Sequence, residues 1–167
     1  MIIIGYQGIG KSTLCAKYKG KKYIDLESSN FWVRNLSSGK KYRPDRWEEI
    51  YANMAADLSR QGYIVFTSSH ATVRKAMLGT GEHVACIVPD PDIKDKWLIK
   101  LEERHKSTLL EKDFKAWANA KERYKENIEE IMADFESSHI MMITGPDYDL
   151  EGLINLYCMT RDTKIMV

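Results

Sequence analysis

The stretch that decides the fold is Gly5-Tyr6-Gln7-Gly8-Ile9-Gly10-Lys11-Ser12, which has the form G-x-x-x-x-G-K-S. The apolar run Met1-Ile2-Ile3-Ile4 precedes it, and the segment from Thr13 to Tyr18 has the composition of a helix. Strand, glycine-rich loop and helix in this order form the structural context of a phosphate-binding loop. We therefore predict that a buried strand ends at this loop and that a helix begins directly after it.

Each residue type in the loop has a physical role in holding phosphate. Glycines let the backbone turn tightly and direct its N–H groups inward, and the following helix N-terminus adds partial positive charge. The Lys11 ammonium is expected to reach the β- and γ-phosphates of ATP, and the Ser12 hydroxyl to bind Mg²⁺. The residues predicted to bind ATP are those of the loop and the first helical turn: Gly5, Gly8, Ile9, Gly10, Lys11, Ser12 and Thr13.

Size and composition restrict the class of protein. A chain of 167 residues corresponds to one domain, residues 1–167. The 25 basic and 24 acidic residues give a net charge of +1, which argues against a broad nucleic-acid-binding surface. The three cysteines include no C-x-x-C pair and indicate neither a disulfide framework nor a zinc site, so we expect reduced thiols and a cytoplasmic protein. No apolar run reaches the length of about 18 residues that a membrane-spanning helix needs.

Short apolar runs alternate with helical patterns along the chain, which predicts an α/β fold with a parallel sheet. The predicted strands are Met1–Gly5, Tyr23–Leu26, Tyr63–Ser68, His83–Val88 and His139–Thr144. The predicted helices are Asp45–Arg60, with Asp45 as N-cap, Asp92 to about Lys106, about Lys112 to Phe135, and Asp149–Met159. Tyr157 and Met159 in the last helix suit either the core or a dimer surface, so a homodimer stays open.

A phosphate-binding loop this close to the start of a short chain resembles the small P-loop kinases. That group includes the nucleoside monophosphate kinases and the shikimate and gluconate kinases. The resemblance covers the layout of the whole chain, although the loop is its one specific motif. It implies a three-layer fold with a five-stranded parallel sheet of order 2-3-1-4-5 and helices on both faces. It further implies an acceptor-binding segment over about 28–60 and a helical lid over about 104–123.

One acidic residue of many P-loop proteins is missing, because the third predicted strand ends Thr67-Ser68-Ser69-His70 without an aspartate that could contact Mg²⁺. The end of the second strand, Asp25-Leu26-Glu27, offers a replacement, since alternate residues of an extended segment share a face. Ligands of open α/β sheets bind in the crevice at the carboxyl ends of the strands. By similarity to the D-x-D pattern of shikimate-kinase-like enzymes, we expect Asp25 near the metal and Glu27 near the acceptor.

The segment after Glu27 contains residues suited to an acceptor that carries a base and a phosphate. Phe31 or Trp32 could stack on the base, and an arginine could hold the phosphate through its two-pronged guanidinium. The candidate arginines are Arg34, Arg43 and Arg46. Further candidates follow the third strand, namely Ser69, His70 and Arg74. Each also has a structural alternative: a core position for the aromatic rings, solvent for the arginines, and helix capping or a structural hydrogen bond for the others.

Two arginines of the predicted lid, Arg104 and Arg123, are expected to neutralise charge on the transferring phosphoryl group. The alternative is a solvent-exposed helical face with Glu–Lys pairs at three- and four-residue spacing. The loop that contains Pro146 follows the fifth strand. By analogy with the similar kinases, we expect its backbone to pack against adenine.

Together these features predict ATP- and Mg²⁺-dependent phosphoryl transfer to a nucleoside or deoxynucleoside monophosphate, with Lys11, Asp25, Arg104 and Arg123 as catalytic residues. Two alternatives stay open. One is a small-molecule alcohol kinase of the shikimate or gluconate type, in which Asp25 or Glu27 serves as general base. The other is a non-catalytic nucleotide-binding protein. The aromatic pair and the surplus arginines favour the nucleotide acceptor.

Overall fold

The computed structural model describes residues 1–135, 140–145 and 147–163 and has a five-stranded parallel sheet at its centre. The strands are β1 (Ile2–Gly5), β2 (Tyr23–Asp25), β3 (Val33–Arg34), β4 (Lys41–Tyr42), β5 (Ile64–Thr67), β6 (Val84–Pro89) and β7 (Ile140–Thr144). The helices are α1 (Lys11–Lys17), α2 (Trp47–Arg60), α3 (Ala71–Leu78), α4 (Lys94–Thr108), α5 (Glu111–Phe135) and α6 (Leu150–Thr163). Two short 3-10 turns cover Ser28–Phe31 and Pro91–Ile93.

The central sheet has the order β2-β5-β1-β6-β7, and every neighbouring pair of strands is parallel. Counted along the chain within this sheet, that order is the predicted 2-3-1-4-5. The α/β class and the parallel sheet are therefore confirmed. The remaining strands, β3 and β4, form a separate antiparallel pair within the predicted acceptor segment.

The sheet is buried on both faces at its centre. All residues of β1 and all residues of β6 are buried. Because successive side chains of a strand point to opposite faces, complete burial means that both faces are covered. This explains why these strands read as continuous apolar runs rather than as alternating patterns.

The predicted strands lie within one residue of the observed ones at each described end, and His139 lies outside the described residues. The prediction of Asp45 as the N-cap of α2 is wrong. The helix begins at Trp47, and its N-cap is Arg46, whose backbone is left-handed with φ of 59°. The reason is a turn in which the Trp47 N–H donates to the Pro44 carbonyl at 3.2 Å, so that Asp45 lies inside the turn.

Tyr157 and Met159 of the last helix, each predicted to suit either the core or a dimer surface, differ in their exposure to solvent. Tyr157 is buried, whereas Met159 is 69% exposed. Across the described ranges, none of the helices combines the length and apolar character that a membrane crossing requires.

The glycine-rich loop leaves the sheet at its middle, because β1 lies between β5 and β6. Gly8 and Gly10 have φ values of 87° and 92°, a left-handed backbone that favours glycine. At Gly8 there is also no room for a side chain, since a Cβ there would lie 2.7 Å from Leu101 Cδ2 on α4. The loop conformation and the packing of α4 therefore depend on the same glycine.

We predict that Gly8→Ala destabilises the fold by about 2–5 kcal/mol, the sum of a left-handed alanine and an overpacked contact with Leu101. Gly39→Ala is the matched control, because Gly39 has φ of 68° but a Cβ at that position would meet no described atom within 4 Å. It should cost only the backbone term of about 1–2 kcal/mol. Urea denaturation of both variants gives the comparison, and equal losses would contradict the role of Leu101.

Candidate functional site

The glycine-rich loop presents a lysine and a helix N-terminus to the same space. Helix α1 begins at Lys11, and no side chain caps its first turn at Gly10. The Lys11 Nζ donates to the carbonyl oxygens of Gly5 at 2.8 Å and Tyr6 at 3.4 Å. Burial lowers the pKa of Lys11, and the nearby carboxylates of Asp25 and Glu27 oppose that shift.

A cavity of about 590 Å³ lies beside the loop, and we call it the loop cavity. Its wall is formed by the loop from Gln7 to Thr13, the end of β2 and both long helices α4 and α5. The predicted residues Asp25, Glu27 and Arg104 all line it. The structure thus brings together the loop, both acids after β2 and one of the two predicted lid arginines.

Two oxygen groups suited to Mg²⁺ meet in the loop cavity. The Ser12 Oγ donates to Asp25 Oδ2 at 2.6 Å. No group of three or more His, Cys, Asp or Glu side chains arranged for a metal occurs among the described residues. Mg²⁺ bound with a nucleotide needs only one or two protein oxygens, since phosphates and waters supply the rest. Ser12 and Asp25 therefore fit this ion.

Arg104 is held at the cavity wall by a carboxylate that the sequence did not reveal. Its guanidinium pairs with Asp113, and the two side chains are 39% and 1% exposed. The Thr108 Oγ1 donates to the other Asp113 oxygen at 2.6 Å. Acidic residues are common in the first turn of a helix, where they interact favourably with the helix dipole. The sequence therefore gave no sign that Asp113 would be buried beside Arg104.

A second cavity of about 660 Å³ adjoins the loop cavity. The residues that line both are Gln7, Lys11, Glu27, Ser28, Ser68, Lys112 and Ala116. Lys112 Nζ and Glu27 Oε1 form an ion pair of 3.2 Å at this junction. The second cavity therefore opens directly onto Lys11 of the glycine-rich loop.

Besides Glu27, five predicted acceptor or lid residues line the second cavity: Trp32, Ser69, His70, Arg74 and Arg123. Arg74 is buried, and its guanidinium donates to Asp134 Oδ2 and to the Ser69 carbonyl, both at 2.6 Å. Arg123 pairs with Glu126 at 2.8 Å and Glu130 at 3.0 Å and does not line the loop cavity. Burial lowers the pKa of His70, and the positive charges of Arg43 and Arg74 lower it further by smaller amounts.

Four other predicted residues lie outside these two cavities, namely Phe31, Arg34, Arg43 and Arg46. The Phe31 ring packs edge-on against Tyr51 with centroids 5.0 Å apart. Arg43 places its guanidinium over the rings of Trp32 at 4.7 Å and Trp47 at 3.9 Å.

Arg34 lies in the exposed strand β3, and Arg46 pairs with Glu49 on the surface. Pro146 lies outside the described residues.

A third cavity of about 300 Å³ adjoins the loop cavity and shares Ile9, Gly10 and Thr13 with it. Its remaining wall contains Lys100 and Tyr148, neither of which the sequence reasoning proposed. The Tyr148 ring lies nearly parallel to that of Trp97, with an angle of 14° and centroids 6.1 Å apart. A tyrosine two residues after the predicted Pro146 was the available signal for this surface.

No protein-family model matches the chain, and no curated protein matches it in sequence. The chemistry of the site therefore rests on its own residues.

We predict that Asp113→Ala lowers the free energy of unfolding by about 2–4 kcal/mol, because it removes a buried ion-pair partner and the acceptor of Thr108. The matched control is Asp57→Ala, which removes an exposed pair with Arg60 at 3.1 Å, where the carboxylate is 67% exposed. That variant should change stability by no more than about 1 kcal/mol. Chemical denaturation tests both, and a loss at Asp113 no larger than at Asp57 would argue against a structural ion pair.

Proposed function

We propose that the protein is a phosphotransferase that transfers the γ-phosphoryl group of ATP to a nucleoside or deoxynucleoside monophosphate. In this proposal the fold is that of a P-loop kinase, with α4 and α5 as its lid. The observation that carries the proposal is the meeting of two cavities at Lys11, because a donor and an acceptor must converge on one cation for direct transfer.

The donor side has groups for each part of ATP. Backbone N–H groups of the loop and the Lys11 ammonium bind the phosphates. Ser12 and Asp25 would hold Mg²⁺, which neutralises charge on the β- and γ-phosphates when it is bound. The third cavity offers the ring of Tyr148 as a surface for the base.

Arg104 faces the loop cavity from α4. Its position suits stabilisation of the charge that develops during transfer.

The acceptor side favours an anion. The cationic side chains that line the second cavity are Lys11, Arg74, Lys112, Lys115 and Arg123. The last four are paired with carboxylates, whereas the Lys11 Nζ donates to carbonyl oxygens, so the preference for an anion rests chiefly on Lys11. The half-exposed Trp32 ring also lines it. A monophosphate acceptor needs no general base, since its oxygens are already nucleophilic at neutral pH.

One observation favours the alcohol-kinase alternative. The Glu27 carboxylate lines both cavities, where it could accept the proton of an alcohol acceptor. A screen of ADP release over nucleoside monophosphates and small hydroxy acids separates the candidates. ADP release only with monophosphates supports the first proposal, release only with alcohols supports the alternative, and nucleotide binding without release supports a non-catalytic protein.

We predict that Lys11→Ala lowers the rate of phosphoryl transfer by about 10²–10³-fold or more, because it removes the cation at the meeting point of both cavities. Lys21→Ala, at an exposed position that lines none of the three cavities, is the matched control and should retain full activity. Steady-state kinetics with a thermal melt of each variant gives the measurement. Near-normal turnover by a folded Lys11→Ala protein would end the kinase proposal.

We further predict that Asp25→Asn raises the Mg²⁺ concentration needed for half-maximal rate and lowers the maximal rate, because it removes the charged member of the Ser12–Asp25 pair. Binding of ATP without metal should change little. Asp57→Asn serves as control for the loss of one carboxylate. An unchanged Mg²⁺ titration would move Asp25 to a purely structural role.

A further inference from the structure

The second cavity changes character along helix α5. Near Lys11 it is lined by cations, whereas farther along the helix its wall contains the amide side chains of Asn119 and Asn127. Gln7 of the phosphate-binding loop adds a third amide from the opposite side. The amides thus lie between the cations near Lys11 and the Arg123–Glu130 ion pair, which also lines this cavity and has no net charge.

A kink in α5 creates this amide cluster. The Asn127 Nδ2 donates to Asn119 Oδ1 at 2.7 Å, although eight residues separate them. On a straight helix that separation is about 12 Å along the axis, which exceeds the combined reach of two asparagine side chains. Between them Arg123 departs from helical geometry, with φ of −128° and ψ of 28°. The bend therefore brings both amides together at the cavity wall.

The cluster retains hydrogen-bonding capacity of both kinds. An amide side chain carries two N–H donors and a carbonyl acceptor. Asn119 Oδ1 accepts from Asn127 and, at 3.5 Å, from Gln7 Nε2, which also donates to the Ala116 carbonyl at 2.9 Å. The bonds of the described residues leave the Asn119 amide nitrogen and the Asn127 amide oxygen available, so the cluster offers a donor and an acceptor side by side.

Tyr6 adds an unsatisfied group behind the cluster. Tyr6 lines the second cavity, and its side chain is buried. Its hydroxyl has no partner at hydrogen-bonding distance and angle within the described part of the chain. Burial raises the pKa of Tyr6, while the neighbouring amides of Asn127 and Gln7 lower it in part, which places both amides beside the hydroxyl. A buried polar group without a partner costs free energy and calls for an explanation.

We propose that Asn119 and Asn127 bind the base of a nucleotide acceptor, and that Tyr6 is a positioning residue that orients Asn127 when the base is bound. This inference rests on the proposed function. A nucleobase edge carries adjacent donors and acceptors, which matches the cluster, whereas a phosphate or a carboxylate would require cations. The position of the cluster also suits a nucleotide. Asn119 lies three residues, or about 4.5 Å along the helix axis, beyond Ala116 at the junction of the cavities, so a base at the cluster and a phosphate at the junction can belong to one ligand.

The test measures equilibrium binding by calorimetry, without turnover, to AMP, GMP, CMP, UMP, dTMP and ribose 5-phosphate, and separately to ATP. We expect at least one nucleoside monophosphate to bind about tenfold or more tightly than ribose 5-phosphate, which lacks the base. Asn127→Leu keeps the size of the side chain and should abolish that preference, while the affinity for ribose 5-phosphate and for ATP stays within about twofold. Asn53→Leu, on the exposed side of α2, is its control and should keep the preference.

Tyr6→Phe separates positioning from structure, because Tyr23 also has a buried hydroxyl without a partner among the described residues but lines none of the three cavities. Tyr6→Phe and Tyr23→Phe should each change the melting temperature little, since each buried hydroxyl has no well-aligned hydrogen bond and only a neighbouring polar group, the Asn127 and Gln7 amides or the Lys22 ammonium. We expect only Tyr6→Phe to weaken binding of the nucleoside monophosphate, without weakening binding of ribose 5-phosphate.

Equal affinity of ribose 5-phosphate and all five monophosphates would overturn the inference, as would wild-type selectivity in both Asn127→Leu and Tyr6→Phe. Binding of ATP without binding of any monophosphate would also overturn it, while leaving an alcohol kinase in place. Absence of ATP binding would instead refute the proposed function itself.

Discussion

The close contact between Gly8 and helix α4 is the constraint on which the site depends. Leu101 occupies the space that a side chain at Gly8 would need, and the Trp97 Nε1 donates to the Gln7 carbonyl at 3.1 Å. Because residues three apart share a helical face, Arg104 lies on the same side of α4 as Leu101 and so faces the loop cavity. The contact that fixes the loop therefore also aims the arginine.

Gln7 extends this constraint to the second long helix. Its backbone carbonyl accepts from α4, and its side-chain amide donates to the Ala116 carbonyl on α5 at 2.9 Å. One loop residue thus sets the positions of both helices that form the outer walls of the cavities. The left-handed Leu109, with φ of 54°, closes the short connection between those helices. The walls and the glycine-rich loop consequently behave as one packed unit.

The sequence was sufficient to predict the strands of the sheet, because the central strands are short apolar runs that are buried on both faces. It was sufficient for the loop because G-x-x-x-x-G-K-S restricts the backbone and the chemistry together. The order of the strands came from the resemblance to P-loop kinases, since apolar character alone does not rank strands within a sheet. Ser12 and Asp25 could be placed together on the same grounds, since Ser12 follows β1 and Asp25 ends β2 at the same carboxyl edge of the sheet, with β5 between the two strands.

Other features depend on contacts that leave no local pattern. The pair β3 and β4 has only two residues in each strand, too few for an alternating signal. The kink at Arg123 interrupts an otherwise regular helical sequence without proline or glycine, so the meeting of Asn119 and Asn127 could not be foreseen. Phe31 and Trp32 are adjacent aromatic residues, yet only the second lines a cavity. Their roles are decided by the turn that precedes them, not by their type.

Arg104–Asp113 and Lys112–Glu27, two ion pairs whose members line the loop cavity, differ in their exposure to solvent. The Asp113 side chain is 1% exposed, so releasing Arg104 would leave an unpaired buried charge at high cost. Arg104 has five N–H donors and can keep Asp113 while it presents others to the cavity. Lys112 and Glu27 are 53% and 37% exposed, and a pair in such contact with solvent contributes little to stability. An anionic ligand can therefore take Lys112 from Glu27 at small cost, so that of these two cations Arg104 stays fixed and Lys112 can exchange its partner.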